Sequence, residues 1–483
     1  MSSIFGSVLR GRWHIGGTPV VAAAPESARP PARLVVVLLA VAAVSYSAAL
    51  SVVVPVLVPL RSTFHASQAG AGWILTAYLL ASAVLTPALG RLGDYLGKKQ
   101  VISAATGLLA LGSLMAALAP SLGVLLAGRA LQGASAAILP LAFGIARELV
   151  PAQRLGSVIG VIAALTSVGT GAGLLAAGPV VSAVGVRWLF WGPAIVNGSV
   201  AVLFLVLVPG SRVRSAGRLN WSAAVAMSAA LVCLLLPLSL GQIWGWDSAA
   251  TLSLLASAAA FTVIWVAVEL RARTPLIDMR MMRLAPVWTA NLASLLFGVG
   301  LYSAVGYLPS YLQAPAATGY GFGASITGSG WLSLPMTIAM LITGVVAGPL
   351  SRRVPSRVLL MAGSLPQVAC FALLASLHGH RWLVVLATTI GGLGFGMGLA
   401  ALSAYVVRHV PPAHTGAAAG MNANIRTIGG AAGAAVVSTI LAASTTTGGP
   451  PTEHGFTVAF LALMIAAVIS AAVCLLVPRK EHN

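Results

Sequence analysis

The stretch Gly90-Arg-Leu-Gly-Asp-Tyr-Leu-Gly-Lys-Lys-Gln-Val101 lies between two long apolar runs. Its Asp94 is the only acid between Glu26 and Glu148. A solitary carboxylate among glycines and cations, at the edge of an apolar segment, reads as a charged hinge. A plain tether has no need of that grouping, so the stretch marks a moving part.

The flanks of the hinge define the class. Hydrophobic residues make up 58% of the 483-residue chain and charged residues only 7%, against roughly 25% charged in soluble domains. Mean hydropathy is +0.97. Such a composition cannot cover a water-facing surface, so lipid is the expected solvent. A spanning helix needs about 20 apolar residues, and Leu34 to Leu60 carries no charge at all.

Further apolar runs are expected to span at 70–90, 100–119, 121–146, 156–180, 188–208, 222–241 and 249–269. The remainder lie at 286–311, 324–350, 358–377, 382–407, 415–442 and 455–477. With 34–60, about fourteen helices result. Pro120, Pro151, Pro209-Gly210 and Pro411-Pro412 punctuate them.

The net charge of +19 would suggest nucleic acid in a soluble chain. Its distribution points elsewhere. Cations crowd alternate connections, at Arg91, Lys98 and Lys99, at Arg147 and Arg154, at Arg271 to Arg283, and at Arg352 to Arg357. The intervening connections hold only Arg61, Arg187 and Arg381. This is the positive-inside pattern; it places both termini in the cytoplasm and excludes nucleic acid as a partner. Residues 1–32 have no spanning run, and Ala22 to Ala24 precedes the first apolar stretch rather than following it, the wrong order for a signal peptide. They are expected to be a disordered cytoplasmic tail.

An internal repeat sets the organisation. Gly90-Arg-Leu-Gly-Asp-Tyr-Leu-Gly-Lys-Lys aligns with Gly348-Pro-Leu-Ser-Arg-Arg-Val-Pro-Ser-Arg, each between the second and third helix of a six-helix block. Arg352 stands opposite Asp94. The expected units are a six-helix bundle at 33–208, connectors and two inserted helices at 209–285, a second six-helix bundle at 286–478, and a tail at 479–483. Transporters are often built from such halves, with the substrate site between them.

The motifs carry a family resemblance. Gly90-x-x-x-Asp94-x-x-Gly97-Lys98-Lys99 is similar to the loop signature between helices 2 and 3 of the major facilitator superfamily. Leu126-x-x-Arg129-x-x-Gln132-Gly133 is similar to its helix 4 signature. Arg187-Trp188-x-Phe190, Gly241-x-x-Trp244-Gly245-Trp246 and Pro275-Leu276-Ile277-Asp278 resemble marks of the fourteen-helix drug:proton antiporter branch, as does Tyr311-Leu312-Gln313 before Gly319-Tyr320. The resemblance implies an all-α polytopic plasma-membrane protein of the major facilitator fold. It implies export of hydrophobic or amphiphilic small molecules, driven by protons through alternating access, by a monomer. The alternatives are a passive or differently coupled metabolite transporter and a non-transporting receptor or assembly factor.

Candidate residues follow. Gly90, Asp94, Gly97, Lys98 and Lys99 form a cytoplasmic gate, with the carboxylate suited to a neighbouring helix N-terminus. Arg129 and Arg426 are cations embedded in spans, where charge by default marks function; Gln132 shares a face with Arg129. Gly169, Gly173 and Gly178 permit close helix packing. The antiporter signature carries a proline after the second of these glycines, and Leu174 replaces it. Tyr46, Trp73, Tyr78, Tyr302 and Trp331 are candidates for an aromatic substrate cavity.

The departures matter as much. The family often has an aspartate in helix 1, and Tyr46 occupies that position. No acid lies deep in any expected span, although a transported proton usually rides on an embedded Asp, Glu or His, and arginine holds its proton too tightly. An all-cation interior would repel cationic substrates, so neutral or anionic amphiphiles are expected. Cys233, Cys370 and Cys474 read as small buried hydrophobes. No metal ligands converge, no phosphate-binding loop occurs, and neither a cofactor nor an enzymatic activity is expected.

Overall fold

A computed structural model describes residues 32–66, 68–208, 220–272, 275, 277–351, 353–376, 380–411, 415–444 and 451–478. The expected tails lie outside these residues, apart from residue 32, as do residues 209–219 of the first basic connector and Arg352.

Fourteen helices are long and apolar enough to cross a membrane. They are α1 (Leu34–Val56), α2 (Trp73–Leu96), α3 (Lys98–Ala117), α4 (Leu122–Leu149), α5 (Gln153–Val184), α6 (Trp188–Leu207) and α7 (Trp221–Gly241). Then follow α8 (Ala249–Arg271), α9 (Ala285–Gln313), α10 (Ile326–Leu350), α11 (Ser356–Ser376), α12 (Arg381–Arg408), α13 (Thr415–Ala443) and α14 (Glu453–Cys474). No strand occurs among the described residues. In lipid the backbone must satisfy its own hydrogen bonds, which a helix does within one segment. Interior prolines such as Pro87, Pro179 and Pro335 interrupt single bonds without ending the helices.

Two expectations are corrected. The first span does not run unbroken to residue 60. Its α-helix ends at Ser51, Pro55 sits in a single 3-10 turn, and a separate short helix covers Leu57–Thr63. The charged hinge is likewise not a loop. Helix continues through Leu96 and restarts at Lys98, so Asp94 and Lys98 belong to helix ends. Gly97 alone makes the break, at φ 106°, a conformation that costs glycine no steric clash.

Helices α1 to α6 pack largely among themselves, and α9 to α14 do likewise. The two groups meet reciprocally. The fifth helix of the first group, α5, lies along the second of the other, α10, while α2 lies along α13. Glycines set both crossings. A Cβ on Gly90 would stand 2.7 Å from the Gly416 carbonyl oxygen, and one on Gly348 would stand 2.9 Å from the Gly156 carbonyl oxygen. The aligned glycines of the sequence repeat thus make equivalent contacts. α7 packs against both α2 and α13, and α8 packs mainly on α7; with only 17% of its best apolar window buried, α8 is the most peripheral span.

Backbone-to-backbone crossings leave no room for a branched side chain. Gly90→Val and Gly348→Val are each expected to cost about 1–3 kcal/mol. The check is the thermal unfolding midpoint of the purified protein, and an unchanged midpoint contradicts the crossings.

Candidate functional site

Asp94 projects from the last turn of α2 and is 1% exposed. Its Oδ2 accepts a hydrogen bond from the Ala417 backbone N–H at 3.1 Å. Ala417 lies in the first turn of α13, where unpaired N–H groups and the helix dipole favour an anion. The contact requires the glycine beside it, because a Cβ on Gly416 would stand 2.9 Å from Asp94 Oδ1. Lys98, also 1% exposed, places Nζ 3.6 Å from Asp94 Oδ1 and 2.6 Å from Glu148 Oε1 at the end of α4. One cation therefore serves two acids. Gly144 makes room for the stem of that lysine. Lys99 is half-buried and makes no ion pair among the described residues. Where the family usually carries a second basic residue, Tyr95 lies beneath the Arg91 guanidinium, 4.7 Å from ring centroid to Cζ.

Two further arginines close the same end, and the motifs did not single them out as gate residues. Arg147 Nη1 donates to the Val410 carbonyl at 2.8 Å and to Thr415 Oγ1 at 2.7 Å, joining α4 to the start of α13. Arg408, at the end of α12, donates to Ser351 Oγ at 2.8 Å and to its carbonyl at 3.2 Å. Its guanidinium also abuts Gly156 of α5. The available signal was positional: each arginine ends the fourth helix of its group.

Arg129 and Gln132 have no exposed surface. Arg129 donates to the carbonyls of Ile74 at 3.1 Å and Ala49 at 3.3 Å, and to Gln132 Oε1 at 2.5 Å. Its guanidinium lies over the Tyr78 ring at 4.6 Å. Gln132 Nε2 continues the chain to Ser113 Oγ at 2.8 Å, beside a close crossing of Gly112 and Gly128. This polar cluster ties α1, α2, α3 and α4 together, in a site packed shut rather than open to a cavity.

Arg426 is placed differently. It borders a small cavity between the groups, walled by Pro140 and Phe143 of α4, Ser403 of α12, and Ala419 and Asn422 of α13. Tyr46 comes within electrostatic range of Tyr78, Tyr302 and Arg426. Trp73 is half-buried in the first turn of α2. Trp331 is corrected: it is 62% exposed near the start of α10, an amphipathic ring suited to a membrane interface rather than to a cavity wall. Gly169 and Gly173 fit α5 against Val44, Ser47 and Ala48 of α1, whereas Gly178 fits α5 against Thr327 of α10.

A sequence model of the major facilitator superfamily matches residues 39–434 and 311–483. The chain belongs to the major facilitator superfamily. Proteins of this superfamily are transporters, and the chain is accordingly not an enzyme. It is 28% identical to a multidrug transporter protein, MdtP, of Bacillus subtilis (strain 168), over 68% of this chain and 60% of that protein. It is also 28% identical to the tetracenomycin C resistance and export protein of Streptomyces glaucescens, over 77% of this chain and 69% of that one. Across the curated relatives it matches, the aligned part spans 50% to 81% of their own length, and 50% to 60% of the first three. Among solved structures, the proton:xylose symporter XylE superposes with a TM-score of 0.66 at 13% identity, over 92% of this chain and 96% of that one, which shows the fold.

Asp94→Asn keeps the shape of the side chain and removes its charge. Losing a charge-assisted hydrogen bond, worth about 1.5–3 kcal/mol, is expected to loosen the seal. A cysteine at Ala419, in a background lacking Cys233, Cys370 and Cys474, should then react about tenfold faster with a water-soluble maleimide. An unchanged rate contradicts a sealing role for Asp94.

Proposed function

We propose that this protein exports hydrophobic or amphiphilic small molecules by alternating access of two six-helix units, 33–208 and 286–478, with the inserted pair in 209–285 between them. The observation that carries the reading is where the inter-group bonds lie. Asp94 to Ala417, and Arg147 to Val410 and Thr415, each join a residue of the first unit to one of the second. They gather at the end of the bundle that holds most of the cations. The positive-inside rule makes that end cytoplasmic, with both termini on the same side. The sealed end is then the cytoplasmic gate, and rocking the units apart breaks a few charge-assisted bonds together. Each is worth about 1.5–3 kcal/mol, on the order of the bias that moves a two-state equilibrium by tenfold or more.

The relatives' printed roles, multidrug transport and tetracenomycin C export, support drug-like substrates carried across a bacterial plasma membrane. The working form in this reading is a monomer. Proton coupling falls to the acids at the gate. No acid lies deep within a span; Asp94 and Glu148 share Lys98, and opening the gate exposes both to water. Protonation of either weakens its hold on Lys98, which couples proton binding to opening.

Everted vesicles offered neutral, anionic and cationic amphiphiles provide the test. Neutral or anionic compounds should accumulate, and a protonophore should abolish that accumulation. Accumulation that survives the protonophore selects passive or differently coupled transport instead. No accumulation of any compound contradicts the exporter reading.

A further inference from the structure

We propose that Arg426 is an anion-recognition point on the transport path, and that it takes the ionised carboxylate of an amphiphilic substrate. The inference rests on the transporter reading above and names the substrate chemistry of that same path.

The two embedded arginines invite comparison. Arg129 commits Nε and Nη1 to two carbonyls and Gln132 and lays its guanidinium over the face of Tyr78, leaving only Nη2 without a hydrogen bond among the described residues. Arg426 is 6% exposed, yet its side chain makes no hydrogen bond and no ion pair among the described residues. A cation taken out of water normally acquires a partner, because leaving it uncompensated is strongly unfavourable. Its neighbours on α13 and α9 do not serve. Asn422, one turn earlier on α13, accepts from Ser294 Oγ at 3.1 Å and donates to Asn291 Oδ1 at 2.9 Å.

The described acids are committed elsewhere. Asp94 and Glu148 hold Lys98. Glu269 accepts from Trp265 Nε1 and the Ile277 N–H, and Asp278 caps Met279–Met282 through the Arg280 N–H. Asp247 lies beside Gly245, and Glu453 opens α14.

Tyr46 explains the vacancy in charge. It comes within electrostatic range of Arg426, and it offers a phenol at that place instead of a carboxylate. Among the described residues no carboxylate pairs with the guanidinium. The adjoining cavity is built from both units, with Pro140 and Phe143 on one side and Ser403, Asn422 and Arg426 on the other. While the cytoplasmic end is sealed, it has room for roughly one water molecule. Separation of the units widens the cavity and presents a cation flanked by apolar wall, the complement of a carboxylate on an apolar body. A cationic amphiphile meets repulsion at the same point, which sets the sign of the selectivity.

The test uses the full chain in lipid nanodiscs, with dansylaminoundecanoic acid and its methyl ester as probes read by fluorescence. The wild type should bind the acid at least about tenfold more tightly than the ester, as one charge-assisted hydrogen bond allows. Arg426→Gln should erase that preference, and Arg426→Lys should retain part of it. Tyr46→Asp, which keeps the arginine but supplies an internal counter-ion, should also erase it. Equal binding of acid and ester by the wild type overturns the proposal, and so does an acid preference that survives in folded Arg426→Gln. If Arg426→Gln does not fold, the wild-type comparison and Tyr46→Asp decide. Vesicle export without any acid preference sinks this inference alone, whereas absence of all export contradicts the transporter reading.

Discussion

Everything at the sealed end depends on how closely α2 approaches the start of α13. Gly90 and Gly416 bring the two backbones into contact, and only at that separation does the Asp94 carboxylate reach the Ala417 N–H. Charge and sterics are therefore one constraint. A side chain at either glycine would push the carboxylate out of hydrogen-bond range, after which the buried Asp94 would have only the neighbouring cations, Lys98 and Arg91, to compensate it. The apolar faces of the helices supply adhesion to lipid and neighbours alike. The short bonds at this crossing hold the two groups together at that end.

The spans were legible in the sequence because lipid imposes length and hydropathy on each of them, and every expected apolar run holds a spanning helix, the first of them broken around Pro55. The hinge was legible as a charged junction between two spans but not in its shape. Composition suggested a connection, whereas Asp94 and Lys98 extend the two helices and confine the break to Gly97. Charged residues near a membrane edge do not end a helix when their side chains find partners four residues apart or on the next helix.

The embedded arginines show the opposite case. Hydropathy does not distinguish the surroundings of Arg129 from those of Arg426, because the partners that absorb Arg129 are mostly backbone carbonyls and an aromatic face, contributed largely by other helices of the bundle. Trp331 failed as a cavity residue for a related reason: helical periodicity does not say which side of a uniformly apolar helix faces lipid. Arg147 and Arg408 emerge only when the repeat is laid onto three-dimensional contacts, where each ends the fourth helix of its group.

The inserted pair breaks the symmetry that the repeat establishes. α7 straddles the line where α2 meets α13, while among the described residues neither α7 nor α8 packs closely along the line where α5 meets α10. Its apolar contacts include Val84 on one side and Met421 and Ile428 on the other. Among the described residues the two boundaries between the halves are thus unequal towards the bilayer: α7 roofs one and not the other. A molecule dissolved in the membrane meets a barrier on one flank of the protein that it does not meet on the opposite flank, which gives an otherwise two-fold machine a front and a back.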